Sequence, residues 1–254
     1  MFVRVLGLSR YFASRHGSPL QKMSLLFKML RNISRIQSAT SMMEQLAIVT
    51  AVLNLEVPGV VVECGTFKGA SATNLSLACG VAKRELWVCD SFEGLPEPAH
   101  YDRVHQCPGW TEHYERGQYH GTFEEVRANI EHFGNLSRCH FLKGYFSDTL
   151  PSFRQRIALT FCDVDLVESL RDCLVYLWPQ MEDAAVFFTH EAQDKAIVSL
   201  FRDPQLWDKP PDLIGGGTGL PLHRTREGFR SNLGFTIKRG NRVRLSSSSR
   251  LLKN

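Results

Sequence analysis

A chain of 254 residues, 43% of them hydrophobic, can bury one substantial core and lies near the upper size of a single domain. A net charge of +4 with a pI near 8.7 is mild. The basic residues look scattered except for a thin run at Lys238, Arg239, Arg242, Arg244, Arg250 and Lys253, which disfavours nucleic acid as a partner. No apolar run is long enough to span a bilayer, and no signal peptide is evident. Seven cysteines without metal-type pair spacing, five of them (Cys64, Cys79, Cys89, Cys139, Cys162) in or beside apolar segments, read as reduced thiols of a cytoplasmic protein.

Residues 1–20 show no clear period, and Gly17-Ser18-Pro19 reads as a break. From Leu20 to Ile36, apolar positions 26, 29, 30, 33 and 36 share one helical face. Ser41-Met42-Met43-Glu44 is a capping-box sequence, with Met42, Leu46, Val49 and Leu53 continuing behind it. Residues 1–57 therefore read as a helical extension, either a sheet-edge cover or a lid and oligomer contact. A homo-oligomer through these helices is one expectation.

Residues 58–245 read as the core. Val60-Val61-Val62 is a buried strand running into Glu63-Cys64-Gly65-Thr66-Phe67-Lys68-Gly69, and Ser71 to Cys79 is a helix that Gly80 closes. Strand, glycine turn and helix N-terminus together present N–H groups and a dipole to a ligand. Leu86 to Asp90 is a second strand whose carboxylate suits ribose hydroxyls, since doubly wound folds place an acid roughly 20 residues past the turn. A dinucleotide would want glycine at position 67 and would be repelled by Glu63. A sulfonium ligand with an ammonium group would be welcomed, which favours S-adenosylmethionine over a nicotinamide cofactor.

Residues 99–121 have no period and read as a substrate-covering loop; His100, His105, His113, His120 and Cys107 match no zinc spacing. Thr122-Phe123-Glu124-Glu125 opens a helix with a second capping box, ending at Gly134-Asn135. Cys139 to Leu142 is a third strand, followed by Lys143-Gly144-Tyr145-Phe146-Ser147. Ile157 to Cys162 is a fourth, delivering Asp163 and Asp165. Glu168 to Trp178 is helical, and Ala184 to Thr189 is a fifth strand, delivering His190 and Glu191. Lys195 to Phe201 is a short helix, 215–219 an irregular glycine stretch, and Leu233–Lys238 with Arg242–Leu245 a closing hairpin. Residues 246–254 read as a disordered tail. Right-handed crossovers put all five strand ends on one edge.

There the chain resembles the macrocin O-methyltransferase family. The resemblance rests on Glu63-Cys64-Gly65-Thr66-Phe67-Lys68-Gly69, Asp90-Ser91-Phe92-Glu93-Gly94-Leu95-Pro96, Lys143 to Pro151, and Asp163-Val164-Asp165-Leu166-Val167-Glu168-Ser169. It implies an α/β fold, a doubly wound and mostly parallel seven-stranded sheet of the Rossmann-like class I methyltransferase kind. It also implies S-adenosyl-L-methionine as cofactor, a bound magnesium ion, and methylation of a sugar hydroxyl on a glycoside or other natural product.

By that resemblance Glu63, Gly65 and Gly69 surround the methionine part of the cofactor, within a turn that includes Thr66, Phe67 and Ser71. Asp90 holds the ribose, and Ser91, Phe92, Gly144, Tyr145 and Phe146 flank the adenine. Asp163 and Asp165 begin a base and metal site. The family has two aspartates where this chain has His190-Glu191, so Asp163, His190 and Glu191 are the metal candidates and His190 the alternative general base. The reading is a transferase acting on a small-molecule or glycan acceptor. Its rivals are a non-catalytic cofactor-binding module and a nicotinamide oxidoreductase.

Overall fold

The computed structural model describes residues 2–99, 102, 114–192, 194–215 and 231–244. Five strands follow the expected apolar runs: β1 (Val60–Cys64), β2 (Leu86–Asp90), β3 (Cys139–Lys143), β4 (Ile157–Cys162) and β5 (Met181–Thr189). All five are parallel. Two more follow, β6 (Ile214–Gly215) and β7 (Gly234–Ile237), and the sheet order is β3-β2-β1-β4-β5-β7-β6. Because β6 is only two residues long, six strands carry the sheet. The order reverses between β1 and β4, which opens a crevice at their carboxyl ends.

Helices cover both faces: α1 (Phe2–Phe12), α2 (Pro19–Ile33), α3 (Met42–Val52), α4 (Ala70–Ala82), α5 (Phe123–Phe133), α6 (Phe146–Thr149), α7 (Val167–Leu177) and α8 (Lys195–Leu200). Strand side chains alternate between two cores. Val61, Leu86, Val88, Leu159 and Phe161 face α2 to α5. Val62, Cys64, Cys89, Ile157 and Cys162 face α7, α8, Trp178 and Trp207. The six described cysteines are free.

Several expectations need correction. The first residues form a helix, α1, which has no legible stripe but is tied down by α2. The Lys22 ammonium donates to the Phe12 carbonyl at 2.9 Å, at the end of α1, and the Tyr11 hydroxyl donates to the Lys22 carbonyl at 2.6 Å. The buried face of α2 is Lys22, Leu25, Met29 and Asn32, whereas Leu30 is exposed. Polar Lys22 and Asn32 sit inward because carbonyls and amides receive them, which hydropathy cannot show.

Gly80 does not close α4, which runs to Ala82 and is capped by Lys83 at φ +54. A side chain at position 80 would lie 2.7 Å from the Asn135 amide, so this glycine serves close packing. At α5 only half a capping box forms: Thr122 accepts from Glu125 N–H, but the Glu125 carboxylate goes to Lys68 instead. The closing hairpin does not form among the described residues. Here β7 pairs with β5 and β6, while Val243 bridges Trp207, because the Asn241 side chain and carbonyl are held by Lys209 and Trp178. Residues 100, 101, 103–113, 216–230 and 245–254 lie outside the described residues. They include most of the expected covering loop with His100, His105, Cys107 and His113, most of the glycine stretch and the expected disordered tail.

Candidate active site

The site begins with one row of backbone. Cys64 pairs with Cys89 on one side and Cys162 on the other, and Cys162 with Thr189. The ladder continues past the strands. Gly65 donates to the Cys89 carbonyl at 3.0 Å, Asp163 to Cys64 at 2.9 Å, and His190 to Cys162 at 2.9 Å. Gly65, Asp90, Asp163 and His190 therefore stand side by side at the strand ends. The crowding fixes one residue type: a Cβ at position 65, where φ is +79, would lie 1.9 Å from the Asp163 carbonyl oxygen.

Above this row is a cavity of about 650 Å³. Of the expected cofactor residues, Gly65, Thr66, Phe67, Ser71, Asp90, Ser91, Tyr145, Phe146 and Asp163 line it. Glu63, Gly69, Phe92 and Gly144 are not on its wall. Phe92 turns into the core, 5.3 Å centroid to centroid from Phe123, so it supports the turn rather than facing a ligand. Gly69 is the N-cap of α4. The Asp90 carboxylate accepts the Thr66 and Phe92 N–H groups, each at 2.7 Å, which locks the first turn to the second strand.

Glu63 is fully buried, and burial pushes its carboxyl up to about 8. The Thr66 hydroxyl donates to Oε2, while Oε1 has no hydrogen-bond partner. An orphaned buried carboxylate oxygen under the turn is an acceptor awaiting a cation or a donor. Asp90 and the glycine turn, which do line the cavity, fit the ribose and amino-acid end of S-adenosylmethionine.

The second half of the site is acidic. His190 lies between two carboxylates, its Nδ1 3.2 Å from Asp163 Oδ1 and its Nε2 3.5 Å from Glu44 Oε2. Burial alone would depress the imidazole, but Asp163 and Glu44 outweigh it and hold its pKa well above the usual value. Burial likewise opposes ionisation of Glu44, yet His190, Ser231 and Ser41 bring its carboxyl well below the ordinary range. Flanked by two carboxylates, the ring favours its protonated form. That placement favours a carboxylate over His190 as the general base.

The same geometry answers the metal expectation. Ligand atoms of Asp163, His190 and Glu191 lie within 4.8 Å of one another. Both His190 nitrogens, however, face carboxylates. Asp163 Oδ2 accepts from the Thr40 hydroxyl at 3.1 Å. Glu191 Oε1 accepts the Val164 N–H at 3.1 Å and the Asp165 N–H at 3.3 Å, and its Oε2 accepts the Thr189 hydroxyl at 2.8 Å. Magnesium takes oxygen ligands, one or two carboxylates and several waters. This trio includes an imidazole, and its carboxylate oxygens already accept protein donors. These residues do not fit the ion.

Asp165 remains. It lines the cavity at φ +58, one of six described non-glycine residues with positive φ. Phe67, Phe92 and Tyr119 are three of the others. Left-handed backbone in non-glycine residues is strained, and here it gathers at the ends of β1, β2 and β4 and in the covering segment. Burial, then Asp163 and Glu191, push the Asp165 carboxyl well above its usual value, and Tyr114 is hydrogen-bonded to it.

Sequence reading missed Thr40, Glu44 and Tyr114. Glu44 is masked by its own capping box, which it does form: Ser41 N–H donates to Oε2 at 2.9 Å. Its other oxygen accepts the Ser231 hydroxyl at 2.7 Å. Thr40 arrives on the 37–40 loop, fastened by Gln45, whose Nε2 donates to the Ser38 hydroxyl and the Thr40 carbonyl. Gln45 in turn accepts from Asn74, and Asn74 from Asn32. The N-terminal helices thus carry part of the cavity wall.

A sheet in this order, parallel from β1 to β5 with an antiparallel β7, a glycine turn after β1 and an acid at the end of β2, defines a class I methyltransferase fold. Solved structures agree. The O-methyltransferase NovP superposes with a TM-score of 0.62 at 24% identity, covering 83% of this chain and 88% of that one. A calicheamicin methyltransferase, CalS11, gives 0.55 at 18%, covering 89% and 96%. The model of the macrocin O-methyltransferase (TylF) family matches residues 36–202. The chain belongs to that family.

Among curated relatives, 8-demethyl-8-(2,3-dimethoxy-alpha-L-rhamnosyl)-tetracenomycin-C 4'-O-methyltransferase of Streptomyces olivaceus is 39% identical over 142 residues, 52% of each chain. Demethyldecarbamoylnovobiocin O-methyltransferase of Streptomyces niveus is 33% identical over 135 residues, 51% of each. The matched region spans about half the length of these relatives.

Proposed function

We propose that this protein is an S-adenosylmethionine-dependent O-methyltransferase acting on a hydroxyl of a sugar, glycoside or related natural product. The observation that carries the reading is the convergence of the Gly65 turn, Asp90, Asp163 and Asp165 on one cavity in a chain of this family. The name of the first relative, a 4'-O-methyltransferase of a rhamnosyl-bearing compound, supports the acceptor class. Six free thiols support a cytoplasmic setting. Among the described residues no helix is long and apolar enough to cross a membrane.

Bound S-adenosylmethionine supplies an electrophilic methyl group. Thr66, Asp90 and Ser91 would hold its ribose, and Tyr145 and Phe146 would offer aromatic faces for its adenine. Gly65 lets backbone approach without obstruction. Asp165 accepts the proton of the acceptor hydroxyl at a carboxylate oxygen: it is on the wall, strained into place, and made a stronger base by its acidic neighbours. The His190 imidazolium fixes Asp163 beside it. Much of the rate comes from orientation of the acceptor oxygen.

The test is calorimetric titration of S-adenosylmethionine and S-adenosylhomocysteine, with magnesium and with a chelator, followed by assays for S-adenosylhomocysteine release with glycoside acceptors. Micromolar binding that ignores the chelator, with acceptor-dependent release, is expected. Absence of binding by either compound would overturn the reading. Binding without release on any acceptor would leave a cofactor-binding module in its place.

A further inference from the structure

The charge that looks scattered along the chain is biased at its N-terminal end, although Arg15 there pairs with Glu56. Residues 1–43 contain seven of the 30 basic residues and none of the 26 acidic ones. One of the seven, Lys22, is buried against backbone carbonyls. Arg10, Arg15, Lys28, Arg31 and Arg35 are exposed.

The same segment carries the large apolar side chains that the fold leaves outside. Leu20 is 83% exposed, Phe27 64%, Leu30 49%, Met23 42% and Phe12 37%. Elsewhere among the described residues only Ile214 is of this kind. Leu20, Met23, Phe27 and Leu30 recur at three- and four-residue steps, so they form one stripe along α2. The opposite side, with Leu25 and Met29, is packed into the core. Helix α2 is thus apolar on two sides, and only one has a protein partner. Lys28 and Arg31, with Arg35 just past the helix end, flank the outer stripe on one side.

We propose that α2, with the end of α1, is a docking surface for an anionic lipid bilayer, lying in the headgroup plane with Leu20, Met23, Phe27 and Leu30 entering the acyl boundary. Charge complementarity selects this occupant. A basic flank beside an apolar stripe is the pattern of interfacial helices, and each basic residue near an anionic surface adds to the attraction. A second copy of the chain docked by the same face would bring Lys28, Arg31 and Arg35 against their own equivalents with no acid between them. The proposal is independent of the methyltransferase reading. None of these stripe residues lines the active-site cavity.

The experiment is co-sedimentation of the full chain with vesicles of phosphatidylcholine alone and with one part in four phosphatidylglycerol, at low and high salt. Binding to the anionic vesicles only, weakened at least tenfold in affinity by high salt, is expected. Phe27→Glu/Leu30→Glu should abolish it and Lys28→Glu/Arg35→Glu should weaken it severalfold, with thermal midpoint and S-adenosylhomocysteine affinity unchanged because all four side chains are exposed. Equal binding to neutral vesicles, or none to either, would overturn the proposal. So would a wild-type dimer by light scattering that Phe27→Glu/Leu30→Glu converts to monomer without any vesicle binding, since the stripe would then belong to a second copy.

Discussion

Glu44 and His190 meet at 3.5 Å between α3 and the end of β5, which makes the N-terminal helical layer part of the active site. Both side chains are buried, and Asp163 closes the set at 3.2 Å. Removing one partner of a buried pair leaves an uncompensated charge, at a cost of about 3–5 kcal/mol. Glu44→Ala should therefore lower the thermal midpoint at neutral pH by roughly 10 °C in a domain of this size. It should also lower the His190 pKa, read by ring proton shifts. A melting point within a degree or two of wild type would show that the pair contributes little.

The Gly65 turn makes a sharper demand. With a side-chain carbon placed 1.9 Å from the Asp163 carbonyl, Gly65→Ala must push β1 and β4 apart where they form the cavity floor. The expected loss is on the order of 3–5 kcal/mol, with cofactor binding lost as well. Thermal melts and calorimetry on Gly65→Ala check both. Gly117→Ala is the control: it also has positive φ (+80), but nothing lies within 4 Å of its Cβ.

These two cases show what the sequence carries. The Val60 to Gly69 stretch is legible because a buried parallel strand and a glycine turn each have a local signature. The ends of β1, β2, β4 and β5 could be placed on one edge by handedness alone. Glu44 could not be placed there, because a capping-box glutamate looks the same whether or not a histidine lies beyond it. His190 was legible at the strand end, but not its two carboxylate neighbours, which lie 27 and 146 residues away in sequence. Helix α1 was missed because what ties its end down is Lys22 of α2, a contact no local pattern announces, and Phe92 was misplaced because the turn's left-handed φ of +57 aims the ring inward.

Glu63 supplies a pH dependence. Its carboxyl is raised from 4.5 to about 8 by burial, so the folded protein holds a proton there that the unfolded chain has released across that window. The stability that neutral Glu63 contributes is full below about pH 4.5 and is lost as pH rises towards 8. Glu63→Gln keeps the shape and removes the titration. The variant should gain stability relative to wild type between pH 5 and 8, most at the upper end, as denaturant melts at several pH values would show. If the orphaned Oε1 receives the cofactor's cationic end, the same variant should bind S-adenosylmethionine at least tenfold more weakly. Unchanged affinity would confine Glu63 to a structural role.

Asp165 bears the chemical step in the proposed reaction, and its replacement separates that role from cofactor binding. Asp165→Asn preserves size and leaves Asp90, Thr66 and the glycine turn untouched. Turnover with any accepted glycoside should fall by roughly 10²–10⁴-fold, the usual worth of a positioned base. S-adenosylhomocysteine affinity should stay at the wild-type level. Wild-type activity should rise with pH as the raised Asp165 carboxyl ionises, and the limb should vanish in the variant. His190→Gln is the comparison: because the imidazolium positions Asp163 rather than accepting the proton, that variant should be slower but keep the Asp165 limb of the profile. Loss of the limb in His190→Gln, with its retention in Asp165→Asn, would transfer the base role to the imidazole.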